Sequence, residues 1–294
     1  MVARCPPATR DATGVRVLTD VAYAAPGGDT LRLDLALPGG EGPHPVVMLL
    51  HGGGWEAGGR ESMHEAMRTL VARGYAAVPV SYRLTRAPAN VFPAAVQDVR
   101  CAVRWLKAHA REHGLDAGHV GVLGFSAGAH LASMLGTTAD VSALDAPEDG
   151  SPEPGCLTSD GAPDVQAVVS VAGPQDLRVR GSYTREQARL VTNFLGVFPG
   201  NATGLAELAS PIAHVGAGSA PFLLVQGASD DLVPPNHARR MRAALQGAGV
   251  AATLLELRGV GHSFPPLEGS DHPEVGCTTF AFFDRWLRQA QRER

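Results

Sequence analysis

The chain is short of lysine: of its 25 basic residues only Lys107 is a lysine, and the other 24 are arginines spread along 294 residues. Against 29 acidic residues, giving a net charge of −4, no stretch concentrates the positive charge that a phosphate backbone requires. A nucleic-acid partner is therefore not expected. Long apolar runs are missing too. No segment reaches the roughly 18 apolar residues of a spanning helix, so no membrane partner is expected either. The opening MVARCPPATRDATG has basic residues but no apolar centre, which argues against a secretory signal and makes cytoplasmic residence the expectation. Cysteine is sparse: Cys5, Cys101, Cys156 and Cys277 form no CxxC and no cluster with histidine. That removes a zinc site and a dithiol motif, and no metal is expected. The four could pair in three ways, yet a chain that is 45% hydrophobic can bury a core without bridges. The same apolar share, with 35 Gly and 22 Pro, excludes a disordered chain, a coiled coil and a small disulfide scaffold.

What is present is a series of short apolar runs separated by turn residues. VRVLTDVAYA and the alternating LRLDLAL (31–37) predict two antiparallel strands joined near Pro26-Gly27-Gly28. The unbroken run 46–50 predicts a strand covered on both faces. A helix over 63–73 ends at Gly74, and a strand over 75–80 follows. Val96, Val99, Val103 and Leu106 mark one face of a helix over 92–113, with Gly114 as its stop. Further strands are expected at 120–123, 165–171, 222–225 and 253–257, with helices after Ser126, near 238–246 and near 279–289. This βαβα series predicts an α/β fold, a mostly parallel central sheet with helices on both faces, in one domain spanning 1–294. Two segments interrupt it. Residues 138–164 hold Asp140, Asp145, Glu148, Asp149, Glu153, Asp160 and Asp164 without Lys or Arg, and read as a solvated acidic loop insertion. Residues 184–208 predict one or two short helices, a small cap over the sheet edge.

The chemistry concentrates after the ends of the predicted parallel strands. Gly124-Phe125-Ser126-Ala127-Gly128 is a G-x-S-x-G placed where a buried strand gives way to a helix. A nucleophilic serine needs that tight turn to project its hydroxyl, and the helix N-terminus behind it offers unpaired N–H groups to a developing anion. His51-Gly52-Gly53-Gly54-Trp55 ends the central strand, and consecutive glycines let main-chain N–H groups point inward. The oxyanion hole is assigned to Gly53, Gly54 and Ala127. An acid and then a histidine follow in chain order: Asp230, preferred over its neighbour Asp231, after strand 222–225, and His262 in the loop Gly259–Phe264. In this scheme His262 takes the Ser126 proton and Asp230 orients the imidazole. Trp55 and Phe125 are candidates for the substrate pocket, Trp55 equally for plain packing. His130, one turn beyond Ser126, reads as structural, as does Asp98 beneath the SYR segment. Cys101 reads as a buried small apolar residue, and His51 as a brace for the glycine loop.

These stretches together resemble the α/β-hydrolase superfamily. The resemblance is to carboxylesterases related to hormone-sensitive lipase and, more closely, to the bacterial feruloyl-esterase-like (BD-FAE) group. HGGGW (51–55), SYRL (81–84), FPAAVQDVRCAVRWL (92–106), VGVLGFSAGAHLASMLG (120–136), GASDDLVP (227–234) and GVGHSF (259–264) carry it in family order. It implies a cofactor-free serine hydrolase acting on esters of small to medium acyl groups through an acyl-enzyme. An arylformamidase, a lactonase or an acyl-transferring enzyme would use the same three residues; a non-enzymatic binding protein of this fold would have lost some of them. Two departures stand out: Gln226 replaces the common histidine of the acid loop, and Thr85-Arg86-Ala87 replaces the usual text after SYRL. The expected partner is a small-molecule acyl substrate, with homodimerisation the commonest form of any assembly.

Overall fold

The computed structural model describes residues 14–145, 155–156, 161–178, 184–263, 267 and 272–289. Cys5, Phe264 and, in the acidic insertion, Glu148, Asp149, Glu153 and Asp160 lie outside the described residues. Eight strands form one sheet: β1 (Arg16–Ala24), β2 (Leu31–Leu37), β3 (His44–Leu50), β4 (Ala76–Val80), β5 (Leu115–Phe125), β6 (Ala167–Val171), β7 (Phe222–Gly227) and β8 (Ala252–Leu257). Their order across the sheet is β1-β2-β4-β3-β5-β6-β7-β8. β1, β2 and β4 pair antiparallel, and every pairing from β4 to β8 is parallel.

The central strand shows why the run at 46–50 is unbroken. Val46, Met48 and Leu50 point into a core shared with α2 (Ala94–Ala108), α4 (Ala127–Thr137) and α7 (Asn236–Gly247), through Val96, Val99, Leu131 and Met241. Val47 and Leu49 point to the opposite face, against Leu70 of α1 (His64–Ala72) and Phe280 and Phe283 of α8 (Pro273–Phe283). Alternate side chains of one strand thus bury two separate cores, so no position on it tolerates water. Two expected boundaries shift. The helix at 92–113 breaks at His109 into α2 and α3 (Ala110–His113), and the last helix begins at Pro273, whose missing N–H suits a first helical turn.

The cap segment forms α5 (Arg185–Leu195) and α6 (Thr203–Leu208). Thr184 starts α5 with a reciprocal capping box, its hydroxyl accepting from the Gln187 N–H while the Gln187 amide accepts from the Thr184 N–H.

Two acids in the described part of the insertion, Asp145 and Asp164, are not simply solvated as expected. Arg100, Arg104 and Lys107 line up at helical spacing on α2 and supply the counter-charges of these two acids. Arg100, buried, grips the Asp145 carboxylate with two bonds of 2.7 and 2.8 Å and donates to the Thr138 carbonyl, while Arg104 joins Asp145 at 2.9 Å. Burial alone would raise the Asp145 pKa, but Arg100 and Arg104 hold it below the ordinary carboxylate range. Lys107 pairs with Asp164 at 2.6 Å. Cys101 is likewise not a plain apolar residue: it is bridged to Cys156, with Gly155 accepting a bond from the Ala25 N–H on β1's far end. The sequence hid this because the cations lie 41 to 57 residues upstream of the acids they neutralise.

A 55-residue separation makes the bridge a substantial restraint on the unfolded chain. The double substitution C101A/C156A is expected to lower unfolding free energy by about 2–4 kcal/mol, read as an earlier urea midpoint. A reductant should shift the native protein in the same direction.

Candidate active site

The carboxyl ends of β3, β5, β7 and β8 lie along one edge, where open parallel sheets build their sites. Ser126 caps β5 with φ 53° and ψ −116°, a left-handed conformation enforced by tight packing of α4 on β3. A Cβ at Gly128 would collide with the carbonyl oxygens of Leu50 and His51, so the second glycine of G-x-S-x-G is a contact surface for backbone. At the end of β3, Gly53 holds φ 118° and its carbonyl accepts from the N–H groups of Glu56 and Ala57, turning the loop sharply. His51 braces that loop as expected: Nδ1 bonds the Gly52 carbonyl at 2.7 Å and the ring stacks on Tyr82 at 4.3 Å.

The three residues named from the sequence meet. His262 Nε2 lies 2.9 Å from Ser126 Oγ, and His262 Nδ1 lies 2.8 Å from Asp230 Oδ2. With Nδ1–H donated to the carboxylate, Nε2 is left as the acceptor for the serine proton. Asp231 makes no such contact. Its carbonyl oxygen instead accepts from the Gln187 amide of α5.

Asp230 is buried and fully engaged: Oδ1 accepts from the N–H groups of Leu232 and Val233, and Oδ2 from Gln226 Nε2 at 2.9 Å as well as from His262. Gln226 also donates to the Val233 carbonyl, while its own Oε1 is buried without a partner. From sequence Gln226 looked like a harmless departure. It is a fourth donor to the acid, and only its position four residues before Asp230 hinted at that.

A cavity of about 470 Å³, open mouth included, lies beside Ser126. Gly54, Trp55, Ala127, Leu177, Leu190 and Val233 contribute to its walls. Gly54 and Ala127 thus line the space next to the serine hydroxyl, and Gly53 precedes Gly54 in the loop. Trp55 both lines the cavity and packs, stacking on Phe194 of α5 at 4.4 Å. Phe125 is not among the lining residues; its ring lies 5.5 Å from that of His262. Asp98 has the structural place expected, accepting from the Arg83 N–H at 2.8 Å and from its guanidinium.

His130 has a defined task. Its Nδ1 accepts from Trp55 Nε1 at 3.3 Å and its Nε2 donates to the Ala209 carbonyl at 2.8 Å, tying the glycine loop to the segment after α6. Burial pushes its pKa down from 6.5 to about 4, against the pull of the Ala209 carbonyl. On unfolding it returns to its ordinary value, so as pH falls the unfolded chain takes up the proton first. The stability contributed by the neutral ring is complete above pH 6.5 and disappears between pH 6.5 and about 4. Urea midpoints measured across that range should fall, and H130Q should flatten part of the decline. His237, whose pKa is also pushed down to about 4 by burial, supplies another part.

Among the described residues no three His, Cys, Asp or Glu side chains are grouped as a metal ion needs, and no helix is long and apolar enough to cross a membrane.

Comparison with known proteins agrees with this geometry. The chain is 32% identical to Esterase LipC of Mycobacterium tuberculosis, over 86% of its own length and 60% of the relative's. It is 31% identical to Esterase LipQ of the same organism, over 84% and 57%. The chain thus spans less than two thirds of the length of either. Among solved structures, the apo form of Thermogutta terrifontis esterase 2 superposes with a TM-score of 0.73 at 25% identity, covering 96% of each chain. A truncated carbohydrate esterase from gut microbiota gives 0.72 at 23% identity, over 99% of both, and shares the fold. The BD-FAE family matches residues 33–245, which include the glycine loop, the serine elbow and the acid, and the chain belongs to that family.

Proposed function

We propose that the protein is a serine hydrolase cleaving carboxylic esters of small to medium acyl groups, with Ser126 as nucleophile, His262 as general base and acid, and Asp230 as the orienting carboxylate. The observation that carries this is the unbroken relay from Ser126 Oγ through His262 to Asp230, at 2.9 and 2.8 Å. As Oγ bonds to the ester carbonyl carbon, its proton passes to Nε2, and Asp230 stabilises the imidazolium that forms. The carbonyl oxygen becomes an anion, which the N–H groups of Gly53, Gly54 and Ala127 receive. Collapse of the tetrahedral species expels the alkoxide, which takes the proton from His262. Water, activated by the same nitrogen, then releases the acid from Ser126.

Leu190 and Val191 of α5 line the cavity, and Arg189 and Asn193 anchor α5 to Glu56 of the glycine loop. The names of LipC and LipQ, both esterases, support the reaction class. As to place, disulfides at Cys101, Cys156 and Cys277 favour an oxidising compartment over the cytoplasm expected from the sequence.

The protein should hydrolyse p-nitrophenyl butanoate and be labelled by a fluorophosphonate at Ser126, while S126A loses the label and at least about 10⁴-fold in turnover. A folded sample with neither activity nor label would overturn the proposal. D230N should cost a similar factor by leaving the imidazole in the wrong tautomer, whereas D231N should stay within about twofold, as exposed substitutions usually do.

A further inference from the structure

The cavity beside Ser126 has few polar groups, and the fold spends almost all of them. Trp55 Nε1 goes to His130, and Ser126 Oγ to His262. Gln187 Nε2 goes to the Asp231 and Leu232 carbonyls, and its Oε1 takes the Thr184 N–H. The Asp176 carboxylate accepts from Arg178 at 2.8 Å and from Arg240 at 2.5 Å. Among the polar side chains of the described lining residues, what remains is His237, the second residue of α7.

His237 Nδ1 accepts from the backbone N–H groups of Gln175, at 3.2 Å, and Asp176, at 3.4 Å. Two donors aimed at one ring nitrogen require a lone pair there, so the ring proton sits on Nε2. Burial keeps the ring neutral at ordinary pH, despite the pull of Asp176, so there is one tautomer and one donor. No bond from a described residue reaches that Nε2. The loop Pro174–Leu177 and the helix α7 therefore fix the His237 ring among the residues that line the cavity, with its Nε2–H unclaimed by any described residue.

A donor so placed gains when a ligand brings an acceptor and loses when an alkyl chain displaces its water. The sign of the acceptor is also constrained. Asp176 lies beside His237, its pKa driven down to about 2 because Arg178 and Arg240 outweigh burial, and both of its charge partners are already taken. A carboxylate brought beside His237 would face that charge, and no Arg or Lys is among the described lining residues to meet it.

We propose that His237 is a specificity-determining residue whose Nε2–H donates to an uncharged oxygen, a hydroxyl, keto or ether group, on the ester arm seated in this cavity. The preferred substrates are then esters with an oxygenated arm rather than plain alkanoates or half-esters of diacids. This rests on the esterase reading and adds the class of substrate to it.

Matched esters differing only by an ether oxygen in place of a methylene test it. On the acyl side these are p-nitrophenyl 3-methoxypropanoate against pentanoate and 4-methoxybutanoate against hexanoate. On the alcohol side they are 2-methoxyethyl against butyl butanoate. The ratio of kcat/KM within each pair is measured for the native protein and for H237N, whose shorter amide can still accept from the loop N–H groups but presents no donor at the Nε2 position. For the pair whose arm occupies the cavity, the ratio in the native protein should exceed that in H237N by about fivefold or more. A purely structural role for His237 would lower both members of a pair together and leave the ratio alone. Ratios that are the same in both proteins for every pair overturn the inference while leaving the esterase reading standing. A folded native protein that hydrolyses none of the six esters overturns both. Rapid hydrolysis of p-nitrophenyl hemisuccinate relative to pentanoate, abolished in H237N, would also overturn it, by showing that the donor serves an anion.

Discussion

Ser126 sits at φ 53° and ψ −116°, where an L-residue costs about 1–3 kcal/mol, and the surrounding structure has to hold it there. The restraint is the packing of α4 against β3, which brings the backbone of Gly128 onto the carbonyls of Leu50 and His51. That approach is possible because β3 is sealed on both faces and cannot shift sideways without opening one of two cores. The same contact fixes the glycine loop relative to the serine, since the loop begins where β3 ends. One close backbone approach therefore sets both the reacting hydroxyl and the groups placed around it.

From that point the site is tied outward by polar and aromatic contacts that share residues. His130 connects Trp55 to the carbonyl of Ala209, and Phe194 of α5 stacks on the same tryptophan. Gln187 closes its own helix start and also holds the backbone of the acid loop at Asp231 and Leu232. The cap helix is thus anchored at the glycine loop through Glu56 and at the acid loop through Gln187. A movement of α5 would be felt at both ends of the relay. The cap is small, yet it is joined to the machinery it covers.

Most of the frame was legible because its signals are local. The unbroken run of β3, the alternation of β2 and the glycines flanking Ser126 each state a nearby physical requirement. The order of serine, acid and histidine after three strands is local in the same sense. Pairings between distant stretches were not legible. Nothing in the acidic insertion announces that Arg100, Arg104 and Lys107 will meet it, because a helical row of cations is ordinarily a solvated face. Gln226 and His237 were missed for another reason: each makes an amide-like or imidazole bond to one particular neighbour, and composition and periodicity say nothing about such partners. Cys101 fell between, correctly placed as buried, with its bridge left open among three pairings.

The bridge between Cys101 and Cys156 has a topological consequence. It closes a covalent ring that contains β5, Ser126 and α4, while β7 and β8, which lead to Asp230 and His262, lie outside it. A single backbone cut anywhere between the two cysteines opens the ring without dividing the molecule. The strand, elbow and helix would remain tethered to the rest at both ends of the cut, so a clipped chain keeps the serine on the same covalent body as its acid and histidine.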